Sequence, residues 1–389
     1  MNSPIQAGNR HPVVVLVLVS VALTVFLWLF LHAESQLAVA VLVAVAAGAT
    51  IASRRLGITR RLDLAVADRP GLARLLALGS ALALIAAFHS AHFNLLMICS
   101  VLLLCTACLG LTVQYGYSGV ANFAGAAFFG IGSYATAVMA THTQIPHLLV
   151  ILLSGLVAAL IGSVLITPVL RTRGHYAALV TIAFGILFKT FIEVNDVLGG
   201  PQGLQVPGME LFGFALNDGL KIPGIDLSFY VPYALLSLLL FALSYALVSA
   251  LERSWVGLAM DVIRTDETAA STFGLHIARW KVVAFTLGNF FAGLAGAMYG
   301  MVSGFVAPNN FTFSDSLLML SIVILGGLGS IVGLIPAAII VLILPEKLQF
   351  IQEYRFLLFA ALVIGILLFR PQGLLPRKTR IFFRQGPAS

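Results

Sequence analysis

Long apolar runs constrain this chain more than any other feature of its sequence. Eight are long enough to form membrane-spanning helices, which need about 20 apolar residues: 13–31, 93–113, 119–140, 148–170, 176–197, 229–250, 282–303 and 354–370. Shorter apolar runs lie at 37–52 and 75–89. Only 10% of the 389 residues are charged, whereas a soluble domain carries about 25%. Because so few charged side chains cannot cover a water-exposed surface, we predict an all-α integral membrane protein.

The placement of the basic residues predicts how the chain crosses the membrane. If crossings alternate from a cytoplasmic N-terminus, 18 of the 22 Lys and Arg residues fall in the segments predicted to lie inside: 1–12, 53–74, 171–175, 251–281 and 370–389. Cytoplasmic loops carry such an excess of basic residues. We therefore expect both termini in the cytoplasm, and the net charge of +7 indicates membrane orientation rather than a nucleic-acid partner.

The apolar stretch 315–345 is interrupted by glycines. Gly326, Gly327 and Gly329 lie at its centre. The C-terminal tail can lie inside only if this stretch crosses twice, as two short helices with these glycines as the hinge. Broken helices occur in membranes where the backbone is buried in protein or lines a wet cavity. The sequence thus predicts a polytopic bundle of about 10–12 crossings, some of them short or broken.

Two connections, 198–228 outside and 251–281 inside, are too long to be simple turns, and each is a candidate contact surface. The inside connection contains a short helix with both ends marked. Thr265 is expected to cap its N-terminus, and Asp266 and Glu267 complement the helix dipole. Gly274 supplies the left-handed residue that ends the helix. Ordinary packing at the membrane interface would also account for such a helix.

Five motifs together give the chain a family resemblance. They are Arg264–Gly274 with Lys281–Phe285 and Ala292–Gly296, Gly116–Gly119 with Gly125–Tyr134, Arg171–Tyr176 with Thr181–Gly185, Gly199–Leu204, and Leu325–Ser330. Taken in their order along the chain, they resemble the LivM-type permease subunits of branched-chain amino acid ABC importers. The resemblance covers about 93–370. We divide the chain into N-terminal helices (1–92, with the basic loop 53–74), a core permease domain (93–370) and a basic tail (371–389).

The resemblance implies an ABC-importer permease fold without enzyme activity, in the bacterial inner membrane. The chain would form a translocation pathway for branched-chain or related hydrophobic amino acids. Its implied partners are a second permease in a heterodimer, two ATP-binding cassette ATPase subunits and a periplasmic substrate-binding protein. The implied coupling residues toward the ATPase are Arg264, Asp266, Glu267, Ala270 and Gly274. No lysine follows a glycine, so the chain lacks a phosphate-binding P-loop; we expect no bound cofactor and ATP hydrolysis by the partner subunits.

The candidate pathway residues come from the glycine-rich run 119–134 and from the predicted span 176–197. These are Asn122, Phe123, Gly125, Phe128, Phe129, Gly132, Thr181 and Phe184. Small residues at four-residue spacing also let helices approach closely, so close packing explains part of this pattern. The family often carries a Glu where Ile186 stands, and often a polar run with a His around Asn122. These departures leave urea, short amides and other amino acids open as substrates.

Other polar residues fit structural roles better than chemical ones. Lys189 and Glu193 lie four residues apart, so they can pair on one helix face; a substrate site is the less favoured interpretation. The three cysteines lie in one apolar run and are predicted to pack there. A stand-alone secondary transporter or channel would need ion sites that only Lys189 and Glu193 could provide. A membrane-embedded enzyme would need clustered acid, base and nucleophile residues, which the sequence does not offer.

Overall fold

The computed structural model is helical throughout, apart from two short strand pairs. It describes residues 12–33, 35–55, 57–171, 176–211, 213–218 and 227–348, with scattered positions from 354 to 377. Most of the predicted span 354–370, most of the predicted tail 371–389 and most of the inside segments 1–12 and 171–175 lie outside the described residues.

The described residues form fifteen α-helices. In chain order they are α1 (Pro12–His32), α2 (Gln36–Arg55), α3 (Ile58–Asp68), α4 (Pro70–Ala87), α5 (His92–Leu111), α6 (Gly125–His142), α7 (His147–Arg171), α8 (Tyr176–Val194), α9 (Tyr230–Arg253), α10 (Trp255–Thr265), α11 (Glu267–Thr272), α12 (Ile277–Ser303), α13 (Phe313–Gly326), α14 (Leu334–Ala338) and α15 (Leu344–Lys347). Two stretches are π-helical: Thr112–Tyr117 continues α5, and Ile339–Ile343 joins α14 to α15.

The predicted all-α polytopic class is confirmed. In the described part of the chain, eight helical segments are long and apolar enough to cross a membrane. The larger predicted total of 10–12 crossings also counts α2 and α6, which are not among these eight segments, and the predicted span 354–370, most of which lies outside the described residues. Within 53–74, expected as a loop, the structure has the helix α3.

The chain divides into two compact units. The first consists of residues 1–98, 219–235 and 345–353, and the second of residues 99–218, 236–344 and 354–389. In the first unit, α1 packs against α3 and α4. Ser20 and Ser80 share a hydrogen bond of 2.9 Å between α1 and α4. The Lys347 ammonium donates to the carbonyl of Leu31 at 2.7 Å, so it satisfies a carbonyl at the open C-terminal end of α1.

The second unit is built around α6, α7 and α12, which pack closely together. Glycines make this approach possible. A Cβ added at Gly132 of α6 would collide with the backbone of Gly293 in α12, and one at Gly296 would collide with the backbone of Phe129. Close backbone approach through small residues is the usual way in which membrane helices associate.

Several predicted helix limits are wrong by a few residues. The predicted span 119–140 begins at Gly125, because residues 118–124 form an irregular turn held by side chains. The span predicted over 176–197 ends at Val194. The span predicted over 282–303 begins at Ile277. The inside connection 251–281 contains α10 as well as the predicted short helix.

The long outer connection after α8 is tied to the turn between α12 and α13. Strand β1 (Leu204–Gln205) pairs antiparallel with β4 (Phe305–Val306). The Val206 amide extends this pairing by donating to the Gly304 carbonyl at 2.9 Å. A separate hairpin joins β2 (Glu210–Leu211) to β3 (Phe214–Ala215). Residues 212 and 219–226 of this connection lie outside the described residues.

The stretch 315–345 is broken at its glycines, as the pattern indicates. Helix α13 ends at Gly326, and the next helix begins at Leu334. Gly327 and Gly329 have φ values of 109° and 81°, in the region that side-chain-bearing residues disfavour. A Cβ on Gly326 would meet the backbone of Gly333, so the ends of α13 and α14 lie in backbone contact.

Candidate translocation and coupling sites

A cluster of three buried amide side chains lies within the second unit. Gln114 Nε2 donates to Asn289 Oδ1 and to the Phe285 carbonyl, both at 2.9 Å. Asn122 Nδ2 donates to Gln114 Oε1 at 2.9 Å and to Asn289 Oδ1 at 3.1 Å. All three side chains are at most 1% exposed. Buried polar groups are expensive unless paired, so these bonds fix the turn before α6 against α5 and α12.

The π-helical end of α5 brings Gln114 into this cluster. A π-turn widens the helix and occurs often at functional sites. Here it accompanies a close contact with α12, since a Cβ on Gly288 would meet the Gln114 side chain. One donor of the cluster, Asn289 Nδ2, has no hydrogen-bond partner among the described residues. It lies against Gly162 of α7 instead.

The turn before α6 is also bound to α8 and α13. The Phe123 amide donates to Thr181 Oγ1 at 3.1 Å. The Ala126 amide donates to Ser316 Oγ at 3.1 Å, which satisfies one of the free donors in the first turn of α6. Asn122 Oδ1 also accepts from the Ala124 amide at 2.9 Å. The structure therefore brings Asn122, Phe123 and Thr181 together.

Two aromatic groups flank this turn. The Phe128 ring stacks on Phe184 at 5.2 Å between centroids and meets Phe285 edge-on at 6.0 Å. The Phe129 ring lies 5.3 Å from Tyr299 and 6.1 Å from Phe311. The predicted residues Phe128, Phe129 and Phe184 thus lie in apolar surroundings beside the amide cluster.

The two predicted glycines of the pathway have different surroundings. Gly125 lies against Leu111 and Met319, whereas Gly132 lies against the backbone of α12. Gly132 is therefore a helix-packing residue in this structure, and the packing interpretation of the glycine-rich run accounts for it. Gly125 sits at the first turn of α6, directly after the amide cluster.

The candidate coupling segment consists of α10 and α11, which are joined at Asp266 and are called the coupling hairpin below. Asp266 ends α10 and caps α11: its Oδ1 accepts from the Thr268 amide at 2.8 Å and from the Ala269 amide at 3.0 Å. The prediction that Thr265 caps this helix is wrong. Thr265 belongs to the last turn of α10, where its hydroxyl donates to the Asp261 carbonyl at 2.8 Å. An aspartate one residue later can reach both free amides.

Three of the other coupling candidates, Arg264, Glu267 and Ala270, belong to the helices α10 and α11 of this hairpin. Glu267 pairs with Lys281 of α12 at 2.6 Å. Arg264 lies 4.0 Å from Asp261 and packs its stem against Gly119. Ala270 is fully buried, on the face of α11 turned away from solvent.

The hairpin ends at Gly274 and presents an apolar surface. Gly274 has φ 78° and ends α11, as predicted. Phe273 beside it is 83% exposed. A shallow cavity of about 280 Å³ lies between α10 and α11, lined by Asp261, Val262, Thr265, Asp266 and Ala269.

The residues given structural roles from the sequence keep them. Lys189 and Glu193 pair at 3.3 Å on α8. On α13, Asp315 also has a structural role, since it joins Thr312 in the capping box that begins the helix. The three cysteines are buried and unbridged. Within the described part of the chain, the His, Cys, Asp and Glu side chains form no group that could hold a metal ion.

Sequence reasoning missed Gln114, Asn289 and Arg377. Gln114 and Asn289 stand inside apolar runs, and a polar amide within a span is itself a signal of function or of interhelical bonding. Arg377 was counted only as one of the basic residues of the tail. The structure pairs it with Glu252 and Asp261.

Taken together, the eight apolar helical segments, the broken helix and the buried amides within spans define a polytopic integral membrane protein. Residues 92–369 match the family described as "Branched-chain amino acid transport system / permease component". The chain belongs to this family.

Curated relatives agree with the family. The chain is 36% identical over 282 residues to the high-affinity branched-chain amino acid transport system permease protein LivM of Salmonella typhimurium, covering 69% of this chain and 66% of the relative. LivM of Escherichia coli is 36% identical over 284 residues, with the same coverage. LivH of Escherichia coli is 26% identical over 290 residues, covering 69% of this chain and 90% of LivH. The chain thus aligns with 66% of the length of its LivM relatives. No solved structure matches it.

Proposed function

We propose that this chain is a membrane subunit of an ATP-driven importer for branched-chain amino acids. The observation that carries the proposal is the α10–α11 hairpin in a chain that belongs to the branched-chain permease family. The named relatives are all branched-chain amino acid permeases, which favours these substrates over urea, short amides or other amino acids. The apolar surroundings of Phe128 and Phe184 suit a hydrophobic side chain.

In this proposal the subunit carries no catalytic chemistry of its own. A related permease would pair with it, a periplasmic binding protein would deliver substrate near the outer connection 198–218, and two ATPase subunits would hydrolyse ATP. Both termini would lie in the cytoplasm of a bacterial inner membrane. The similarity to both LivM and LivH supports a heterodimer of related permeases.

The mechanism follows from the hairpin. When the ATPase subunits close, they would move α11, and α10 would follow because Asp266 ends one helix and caps the other. Switching then requires that the assembly have two packings with different contacts. The pathway candidates next to the amide cluster, Asn122, Phe123 and Thr181, lie where α6, α8 and α12 would change their packing.

The coupling assignment is tested with Glu267→Arg and Gly274→Val in the reconstituted importer. The Glu267→Arg variant faces Lys281 with a like charge. Because Glu267 is 56% exposed, the lost pair is worth under about 1 kcal/mol, so the subunit should still fold. Gly274→Val forces a β-branched residue to positive φ and should distort the end of α11. Both variants should hydrolyse ATP while leucine uptake falls.

Two matched variants control this test. The exchange Glu267→Lys with Lys281→Glu restores the ion pair with reversed signs, and Gly274→Asn introduces a side chain that tolerates positive φ. Full uptake by Glu267→Arg or Gly274→Val would contradict the coupling assignment. The substrate is tested separately, by competition of leucine, isoleucine, valine and urea for uptake; failure of all three amino acids to compete would exclude branched-chain substrates.

A further inference from the structure

One arginine near the C-terminus connects several helix ends of the second unit. Arg377 Nη1 and Nη2 donate to the two carboxylate oxygens of Asp261 at 2.6 and 2.8 Å. Its Nε donates to Glu252 Oε1 at 3.0 Å. This two-pronged geometry matches a carboxylate in a way that a lysine cannot reproduce. Arg377 therefore joins the end of α9, at Glu252, to the middle of α10, at Asp261.

The same guanidinium group lies against the end of α5 and the helix break. Its central carbon is 4.4 Å from the centroid of the buried Tyr117 ring, within the range of a cation–π contact. A Cβ on Gly329 would touch the Arg377 stem. The side chain is only 15% exposed.

The charges around Arg377 balance. Glu252 and Asp261 supply two negative charges, and Arg264, 4.0 Å from Asp261, supplies a second positive one. Burial alone would lower the pKa of Arg377, but the hydrogen bonds to Asp261 and Glu252 and the charge of Asp261 outweigh it and raise the pKa. The group thus remains charged, and loss of Arg377 would leave two half-buried carboxylates with one cation.

The backbone before Arg377 is attached to the break itself. The Leu374 amide donates to the Leu325 carbonyl at 2.8 Å, and the Leu375 amide donates to the Gly326 carbonyl at 3.2 Å. These are carbonyls that the end of α13 leaves free. Gly373, with φ 80°, packs directly on Gly327. The segment 373–377 thus runs from the end of α13 to α10.

We propose that Arg377 is a positioning residue that links the coupling hairpin to the helix break at Gly326–Gly329. Movement of α11 passes through Asp266 to α10, and the Arg377–Asp261 pair carries it to segment 373–377 and the end of α13. This inference rests on the proposed function, because it concerns how motion of the coupling hairpin reaches the membrane helices.

The test uses the complete importer: this chain, the second permease, the ATPase subunits and the binding protein, reconstituted in vesicles. The variant Arg377→Gln should keep assembly and ATP hydrolysis but reduce leucine uptake per ATP by at least about fivefold, within the usual range of coupling between sites. Arg377→Lys keeps the charge but not the paired hydrogen bonds, and should recover part of the loss. Arg74→Gln, at an exposed arginine of α4, is the matched control and should transport normally.

A second measurement separates transmission from general damage. The three buried cysteines are replaced by alanine, and an environment-sensitive fluorophore is placed either at Ser271→Cys on α11 or at Leu328→Cys in the break, where Leu328 is 39% exposed. ATP should change both signals in the otherwise unaltered chain. In Arg377→Gln it should still change the signal on α11 and no longer change the signal at the break.

The possible results distinguish the proposed importer function from the proposed role of Arg377. If the unaltered importer shows no ATP-driven leucine uptake, the proposed function fails. If the unaltered importer transports leucine, the role of Arg377 is refuted when Arg377→Gln transports equally well and ATP still changes the fluorescence at Leu328→Cys as it does in the unaltered chain. If Arg377→Gln fails to insert into the membrane, the double variant Glu252→Gln with Asp261→Asn replaces it, because it weakens the same ion pairs by neutralising the two carboxylates. Normal leucine uptake by this double variant would also refute the proposed role of Arg377.

Discussion

The close glycine contacts between α6 and α12 predict that the same substitution, glycine to alanine, has opposite effects at Gly132 in α6 and at Gly79 in α4. At Gly132, a Cβ would fall on the backbone of Gly293, well inside the 3.0 Å that real Cβ contacts essentially respect. The obstacle is backbone, so no side-chain rotation relieves it, and α6 and α12 must separate. At Gly79, in α4, nothing lies within 4 Å of an added Cβ.

The magnitudes follow from this difference. Replacing a helical glycine by alanine gains about 1 kcal/mol of helix propensity. Forcing an extra carbon into a tight contact costs about 1–3 kcal/mol, and separating two helices loses dispersion contacts along their whole interface. Because the added carbon at Gly132 would meet backbone, we expect a cost of about 2–3 kcal/mol. After the offset of about 1 kcal/mol, Gly132→Ala should lower the free energy of unfolding by about 1–2 kcal/mol. Gly79→Ala should leave it unchanged or raise it by up to about 1 kcal/mol.

The assay is unfolding of the purified chain in mixed micelles by increasing detergent denaturant, followed by circular dichroism. Gly296→Ala, which meets the backbone of Phe129, tests the same interface from α12 and should behave like Gly132→Ala. If Gly132→Ala and Gly79→Ala unfold at the same midpoint, the close approach of α6 and α12 is not the source of stability that we infer.

Three further changes have expected outcomes that separate structural from functional contacts. Asn289→Leu removes the acceptor of two hydrogen bonds, each worth about 0.6 kcal/mol between membrane helices. The free energy of unfolding should therefore fall by about 1 kcal/mol. No measurable loss would show that the amide cluster does not stabilise the fold. Lys189→Met breaks a pair whose side chains are one-third exposed, and should cost under about 0.5 kcal/mol without changing uptake; a large loss of uptake at equal expression would instead favour a substrate role. Asp266→Ala removes the cap of α11 and should lower the stability of this helix by about 1 kcal/mol. Amide hydrogen exchange should become faster at Glu267–Thr272 only. Unchanged exchange there would contradict the capping role.

Local signals predicted the features that depend on neighbouring residues. The short coupling helix was predicted because its capping residues and its final Gly274 lie within ten positions of each other. The break at Gly326–Gly329 was predicted because three glycines interrupt an apolar stretch that must cross twice if the basic tail is to lie inside. The positive φ values of Gly327 and Gly329 are seen only in the structure. The Lys189–Glu193 pair follows from helical spacing alone.

Features that depend on distant residues were not predictable in this way. The apolar pattern of 119–140 continues through Asn122, and the bonds of Asn122 to Gln114 and Asn289 help to explain why α6 begins later. Asn289 lies 167 positions from Asn122, and no periodicity joins them. Arg377 likewise looks like any basic tail residue until Asp261, 116 positions earlier, is placed beside it.

The pairing of β1 with β4 has a consequence for how the outer connection can change during evolution. Its hydrogen bonds join main-chain groups only, so they do not depend on which side chains occupy Leu204, Gln205 or Phe305. The strict requirements fall on the flanking Gly203 and Gly304, which have φ values of 77° and 67°. Side chains in these strands can therefore vary while the backbone keeps the same path, provided that these two glycines remain.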